Sequence, residues 1–248
     1  VSSEQISVGP PFYNKLIIPF LVPFLFTMAL GPQLNWIKSD LENKISLFLY
    51  LIISLMLSVL IIRNLDIKFL LNSILITAAL YLFFITLRDL VLRQLKNLSQ
   101  SIAHFGFSLL ILSILLNNIF SAEIITNLKI GETFQSDKLK INFKSVDKIN
   151  QQNYEAIVGE FEIEDFNGKI EVLNPELRIY NQPNIITSEA DIKTNLVKDK
   201  FITMNIVNNQ EYFNIRYQVK PFMTWIWISV LLISFGGIHS LFRNKYEK

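Results

Sequence analysis

Five stretches of this chain carry almost no charge over a length that matches a lipid bilayer. Residues 16–36, 45–62 and 69–87 contain no Asp, Glu, Lys or Arg; 102–120 adds only His104 and 222–242 only His239. Each stretch is about 18 to 21 residues long, or roughly 27 to 32 Å as a helix at 1.5 Å per residue, against a hydrocarbon core of about 30 Å. Buried helices of soluble proteins are rarely this long and this free of charge. The pattern predicts five transmembrane helices. The first is the least regular, because Pro19, Pro23, Gly31 and Pro32 can kink it. Such prolines are tolerated where neighbouring helices satisfy the freed carbonyls.

Composition excludes several function classes. Of the 248 residues 51% are hydrophobic and 18% charged, against about 25% charged in a soluble domain, so an ordinary cytosolic enzyme does not fit. A net charge of +2 lacks the dense basic patch of a nucleic-acid binder. The absence of cysteine removes disulfides, thiolate metal sites and cysteine nucleophiles. The opening VSSEQISVG has no basic segment, cleavage site or Met, as expected of a portion of something longer or of a non-standard start.

Basic residues set the orientation. With the C-terminus inside, Lys38, Lys44, Arg88, Arg93, Lys96, Arg243, Lys245 and Lys248 lie on the inner side, and only Lys15, Arg63 and Lys68 lie in the outer short segments. The positive-inside rule therefore puts the N-terminus and residues 121–220 outside. The expected organisation is a four-helix membrane region at 1–120, an external β domain at 121–220, and a final transmembrane helix with a cytoplasmic tail at 221–248.

Within 121–220 the apolar period drops to two. Leu139, Ile141 and Phe143 alternate with Lys140, Asn142 and Lys144; Phe161 and Ile163 alternate with Glu160, Glu162 and Glu164; Phe213, Ile215, Tyr217 and Val219 alternate with polar residues. Ile170 and Val172 alternate less cleanly with Lys169, Glu171 and Leu173. This predicts six or seven antiparallel strands in a small sandwich or barrel, with turns at Asn167-Gly168, Asn174-Pro175, Gln182-Pro183 and Asn208-Asn209. Residues 188–197 read as a helical turn. The carboxylates read mainly as a solvated face, and Asp165, Asn167 and Glu171 lack the spacing of a calcium loop.

The only side chains that titrate near neutrality, His104 and His239, both fall inside spans, where an ionisable residue is a functional candidate. Imidazole ligates haem iron and other metals. For His104 two readings stand: a metal or haem ligand, or a histidine bonded to a carbonyl of a neighbouring helix. His239, near basic residues at the end of its span, reads better as interfacial. The two rings fall at similar depth, which would allow them to clasp one haem if their helices touched. Gly106 leaves space beside the His104 ring for a flat macrocycle, and Phe105 and Phe107 either flank that space or face lipid. Trp225 and Trp227 read as an aromatic belt, Asn117 and Asn118 as interface markers, and Gly236-Gly237 as a site of close helix contact at most.

An ordered set of motifs resembles the CcmF family, the haem lyase subunit of cytochrome c maturation. It comprises ISVGPPFYN at 6–14, Ala103-His104-Phe105-Gly106, Gly131-Glu132, LNPELRIY at 173–180, Ser188-Glu189-Ala190, Lys220-Pro221, Trp225-Ile226-Trp227 and Gly236-Gly237. The resemblance is to roughly the last third of that family. The tryptophan-rich haem-binding loop and its flanking histidines would lie upstream. Two motifs are reduced, to Asn153-Tyr154 and Lys198-Asp199.

The resemblance implies a b-type haem held between histidines of two membrane spans, with His104 matching the later ligand, the iron axial ligand contributed by this chain. The other ligand has no counterpart here, and His239 stands where the family has an aliphatic residue. It further implies haem attachment to apocytochrome c on the outer side of the membrane, with a haem chaperone, apocytochrome c and other cytochrome c maturation subunits as partners beside membrane lipid. The setting would be a bacterial inner membrane with 121–220 in the periplasm, or alternatively a mitochondrial inner membrane. By this reading the chain is part of a haem lyase complex and is not active alone. The alternatives are a structural or partner-docking membrane fragment that holds no haem, and a transporter subunit, which would show the inverted repeats not visible here.

Overall fold

The computed structural model describes residues 10–33, 41–63, 69–92, 98–136, 139–207 and 212–246. They form two compact units: one takes the chain up to Leu115 together with Trp225 onward, the other Leu116–Thr224. The expected Asn208-Asn209 turn lies outside the described residues.

The helical unit contains α1 (Pro10–Leu30), ending in a 3-10 turn at Gly31–Gln33, then α2 (Leu41–Arg63), α3 (Phe69–Leu92), α4 (Leu98–Phe120) and α5 (Met223–Tyr246). All five are long and apolar enough to cross a membrane, and the protein is a multi-pass membrane protein. α1 runs on through Pro19 and Pro23.

α3 is the hub. Its spanning window is 61% buried, against 28% or less for the other four. Leu75, Ala78, Ala79, Tyr81, Leu82 and Ile85 of α3 form one core with Leu25 and Ala29 of α1, and α2 and α4 pack against it through Leu51 and Ile111 among others. The alanines matter because lipid gives helices no hydrophobic reason to associate, so close approach of backbones has to supply the contact. Buried hydroxyls find carbonyls: Ser58 Oγ donates to Ser73 O at 2.9 Å and Thr86 Oγ1 to Leu82 O at 2.8 Å. α2, by contrast, leaves Phe48, Leu49, Ile52, Met56 and Leu60 exposed, the surface a bilayer covers.

The second unit is an antiparallel β fold of ten strands in two sheets. One sheet orders β1 (Ala122–Leu128), β10 (Phe213–Pro221), β9 (Lys198–Ile206) and β8 (Asp191–Thr194). The other orders β2 (Thr133–Gln135), β3 (Leu139–Asn150), β4 (Tyr154–Asp165), β6 (Glu176–Tyr180) and β7 (Ile185–Glu189), with β5 (Ile170–Leu173) also on β4.

Six or seven strands were too few. The extra ones are short, and the 188–197 stretch expected to turn helically instead finishes β7 and forms β8, because β9 offers Asp191–Thr194 a pairing partner. The core lies where the period of two put it. Phe143 and Phe161 are opposite in the β3–β4 register and stack at 4.3 Å, with Phe213 edge-on to Phe143 at 5.3 Å. Both stacked rings are fully buried, each stabilising by about 1.5–3 kcal/mol. A Cβ at Gly159 would meet the Phe161 ring at 2.7 Å and the Met204 sulfur at 2.8 Å, so only glycine leaves those side chains their places.

One strand has the opposite phase to its sequence reading. In β5, Glu171 pairs with Ile163 and Leu173 with Phe161, so both face the core, while Ile170 and Val172 point outward. The turn before it is as expected, with Gly168 at φ 74°. Asn117 proves to be more than an interface marker. Its Nδ2 donates to Pro221 O at 2.5 Å, joining the end of α4 to the end of β10.

Candidate functional site

The chemistry within the membrane gathers on α4, whose two faces do different work. On one face Ser99, Ala103 and Gly106 follow at i, i+4 and i+7 and form a seam against α5. A Cβ on Gly236 would lie 2.8 Å from Ala103 N and Ser99 O, and one on Gly106 would lie 3.0 Å from Ile233 and Leu232. Gly106 therefore admits a helix and leaves no room for a macrocycle, which corrects the expected space. At the same seam Ser99 Oγ and His239 Nδ1 are 2.6 Å apart. α4 and α5 do touch, and His239 is engaged at that contact.

His104 lies about 100° around the helix from Ala103, on the stripe that continues through Phe107, Ser108, Ile111 and Leu115. That stripe faces the α1–α3 core. Ser108 Oγ and Thr86 Oγ1 of α3 are 2.8 Å apart. Phe107 packs edge-on to Phe24 at 6.0 Å and Phe105 tilts against Phe83 at 5.6 Å, so both rings serve helix packing. The His104 ring is partly buried and makes no hydrogen bond among the described residues.

α3 carries a polar group, Asp89, that the sequence reading passed over. Gln33, buried in the 3-10 turn after α1, donates from Nε2 to Asp89 Oδ2 at 2.5 Å. The neighbouring Arg88 holds a guanidinium nitrogen out of solvent contact. Arg88 was counted as a flanking charge, and Asp89 beside it was not considered, because the uncharged run stops at Leu87, yet α3 continues to Leu92. The legible signal was the helical phase, which carries 75, 78, 82, 85 and 89 along one side.

Haem iron needs axial donors, and neutral imidazole is a suitable one. The His104 ring has no hydrogen bond among the described residues, so it fits one axial position; His239 is bonded to Ser99 through Nδ1 and keeps Nε2 outside that bond. Among the described residues no group of three or more His, Cys, Asp or Glu forms a metal site.

The β unit has its own buried charge. Lys200 Nζ on β9 meets Glu171 Oε2 at 2.5 Å across the core, and Lys169 meets the other oxygen at 2.9 Å. The hydrogen bond from Lys200, with a smaller one from Lys169, holds the Glu171 carboxyl at about 2. Burial pushes the Tyr217 hydroxyl up to about 12 and raises the Asp199 carboxyl. On the outer face of the β1–β10 pair, Glu123 takes hydrogen bonds from Arg216 and Gln218, which lower its carboxyl.

Residues 119–221 match the family model described as the CcmF C-terminal beta-sandwich. Proteins named cytochrome c-type biogenesis protein CcmF align along nearly the whole chain. That of Haemophilus influenzae is 25% identical over 98% of this chain, and that of Escherichia coli 26% identical over 98%. The chain is therefore similar to CcmF proteins along nearly all of its length, and its β unit to their C-terminal sandwich. It spans about 40% of the length of the curated CcmF relatives it matches. A solved structure titled cytochrome c heme lyase CcmF superposes with a TM-score of 0.72 at 20% identity, covering 93% of this chain and 40% of that one. That likeness shows that the CcmF arrangement of apolar helices and an inserted antiparallel β domain is the fold here.

Proposed function

We propose that this chain acts in cytochrome c maturation as the C-terminal membrane part of a haem lyase, with His104 as one axial ligand of a b-type haem. Support for the role comes from the alignment with cytochrome c-type biogenesis proteins along 98% or more of the chain. The observation that carries the haem reading is the His104 imidazole, partly buried in a span and without a hydrogen bond among the described residues. A polar ring in apolar surroundings is costly without a partner, and iron would be that partner. In this reading the second axial ligand comes from outside this chain, since His239 stands where the CcmF family has an aliphatic residue.

In this reading the bound haem supplies one-electron chemistry, and the chain's own residues hold and orient it. The β unit faces the outer side of the membrane, where apocytochrome c and a haem chaperone are met. The basic-residue asymmetry supports that side.

The test compares His104→Ala and His239→Ala in the complete assembly. The first is expected to abolish the b-haem absorbance and impair cytochrome c production while the protein still inserts; the second is expected to leave both largely intact. Haem retained in the His104 variant would overturn the ligand assignment. Normal cytochrome c yield without haem would favour a purely docking role.

A further inference from the structure

We infer that Leu196 and Val197, at the tip of the β8–β9 turn, insert into the lipid surface where α5 enters the bilayer. This gives the β unit a contact with the membrane besides its two chain connections, and the contact is independent of haem at His104.

The depth of the turn is set by what holds it. Phe222 N donates to Val197 O at 2.9 Å, and Thr224 Oγ1 donates to Asn195 O at 3.0 Å. Both donors sit where the last span begins. Its apolar window runs Met223–Phe242, and the aromatic-belt pair Trp225 and Trp227 follows directly. The other connection ends at the same level: Asn117, near the end of the Leu98–Phe120 window, donates to Pro221 O at 2.5 Å. Phe222 holds φ 63°, uncommon for a residue with a side chain, and its bond to Val197 pins the reversal from β10 into α5.

Turns in water are mostly built from Gly, Pro, Asn, Asp and Ser. Here two adjacent apolar side chains occupy the tip, Leu196 66% and Val197 64% exposed. Exposed apolar side chains scattered singly need no explanation, whereas adjacent ones at the entry of a span lie where lipid covers them. The turn's backbone is also prepared for apolar surroundings. Asn195 Oδ1 accepts from both Val197 N and Lys198 N at 2.8 Å, and Asn195 N donates to Lys198 O at 3.3 Å. Together with the bonds from Phe222 and Thr224, these occupy backbone groups that lipid could not satisfy.

The chain has no cysteine, so Leu196→Cys, Val197→Cys and Ile130→Cys can each carry a single bimane label on the full chain in phosphatidylcholine nanodiscs. Ile130 is the control: it is 54% exposed and follows the far end of β1, about 20 Å along that strand at roughly 3.3 Å per residue. Quenching by lipid carrying a nitroxide on its acyl chain is compared with quenching by iodide in water. Labels at Leu196 and Val197 are expected to be quenched by the nitroxide lipid and protected from iodide, and the label at Ile130 to show the reverse. Iodide quenching at Leu196 and Val197 equal to that at Ile130 overturns the insertion. Protection from both quenchers means that a protein surface covers the turn, and nitroxide quenching at all three positions means that lipid contact is not particular to it; each overturns the proposal. Because bimane is itself apolar, Leu196→Ser is combined with the label at Val197→Cys. Lipid quenching is expected to fall, and an unchanged value overturns the role of the native side chain.

Discussion

Ser99 on α4 and His239 on α5 share a 2.6 Å hydrogen bond at the seam where Gly236 meets the backbone of Ser99 and Ala103. Interhelical hydrogen bonds in membranes are worth about 0.6 kcal/mol on average and at most about 2. Ser99→Ala and His239→Ala should each lower stability by about that much, and the double variant should cost little more than either one. Thermal unfolding in detergent measures this. Strict additivity of the two changes would mean that the bond does not couple the helices.

The same seam makes two adjacent glycines unequal. A Cβ at Gly236 would fall 2.8 Å from backbone atoms of Ser99 and Ala103, whereas Gly237 has nothing within 4 Å. Backbone cannot rotate away as a side chain can, so Gly236→Ala must push α5 off α4, at about 1–3 kcal/mol, the usual cost of overpacking. Gly237→Ala should be neutral or slightly stabilising, because alanine is the better helix former. Melting temperatures of the two variants in detergent check the contrast, and equal effects would contradict the seam.

Topology can be tested at the β4–β5 turn. Asn167 and Gly168 are exposed, and Gly168 holds a left-handed backbone at the reversal. Insertion of a reporter active only outside the cytoplasm should therefore preserve the fold and give activity. Activity of a cytoplasm-only reporter there would reverse the orientation expected from the basic residues.

The spans and the long strands were legible because each rests on one strong periodicity. A run of some twenty uncharged residues leaves no other cheap placement, and the alternation at 139–143, 160–164 and 213–219 fixes which face of β3, β4 and β10 is buried. Shorter elements lack enough repeats. β5 offers four residues, and its two β-branched side chains suggested the wrong face. The true phase follows from Glu171 meeting Lys200, a pairing 29 residues apart that no local pattern encodes. Asp89 was missed for a related reason: the charge marks the end of an apolar run, but the helix and its packed face continue past it. Gly106 was read as space for a flat macrocycle, and that Ile233 of α5 fills this space needed the fold.

The Glu171–Lys200 pair gives the β unit an acid sensitivity of known sign. The carboxyl is held at about 2 in the fold, whereas in an unfolded chain it titrates near about 4.3. The folded value is the lower one, so on acidification the unfolded chain takes up this proton first. The pair's stabilisation is complete above about 4.3 and is lost as pH falls toward 2. Glu171→Gln removes that part of the pH dependence. It also leaves the Lys200 ammonium, whose side chain is 8% exposed, without its counter-charge, a loss of about 3–5 kcal/mol at neutral pH. Replacing both partners, as Glu171→Leu with Lys200→Met, removes the unpaired charge and should recover most or all of that stability. The measurement is circular dichroism of residues 116–224 expressed alone. That unit has its own core and is expected to give a β-type spectrum, so a predominantly helical one would contradict the fold. Urea midpoints at pH 7 and pH 3 then separate the variants. The parent should lose stability between them, Glu171→Gln should be weaker at pH 7 and lose less on acidification, and the double variant should combine near-parent stability at pH 7 with that smaller loss. A Glu171→Gln midpoint equal to the parent at both pH values would show that the pair contributes nothing to the fold.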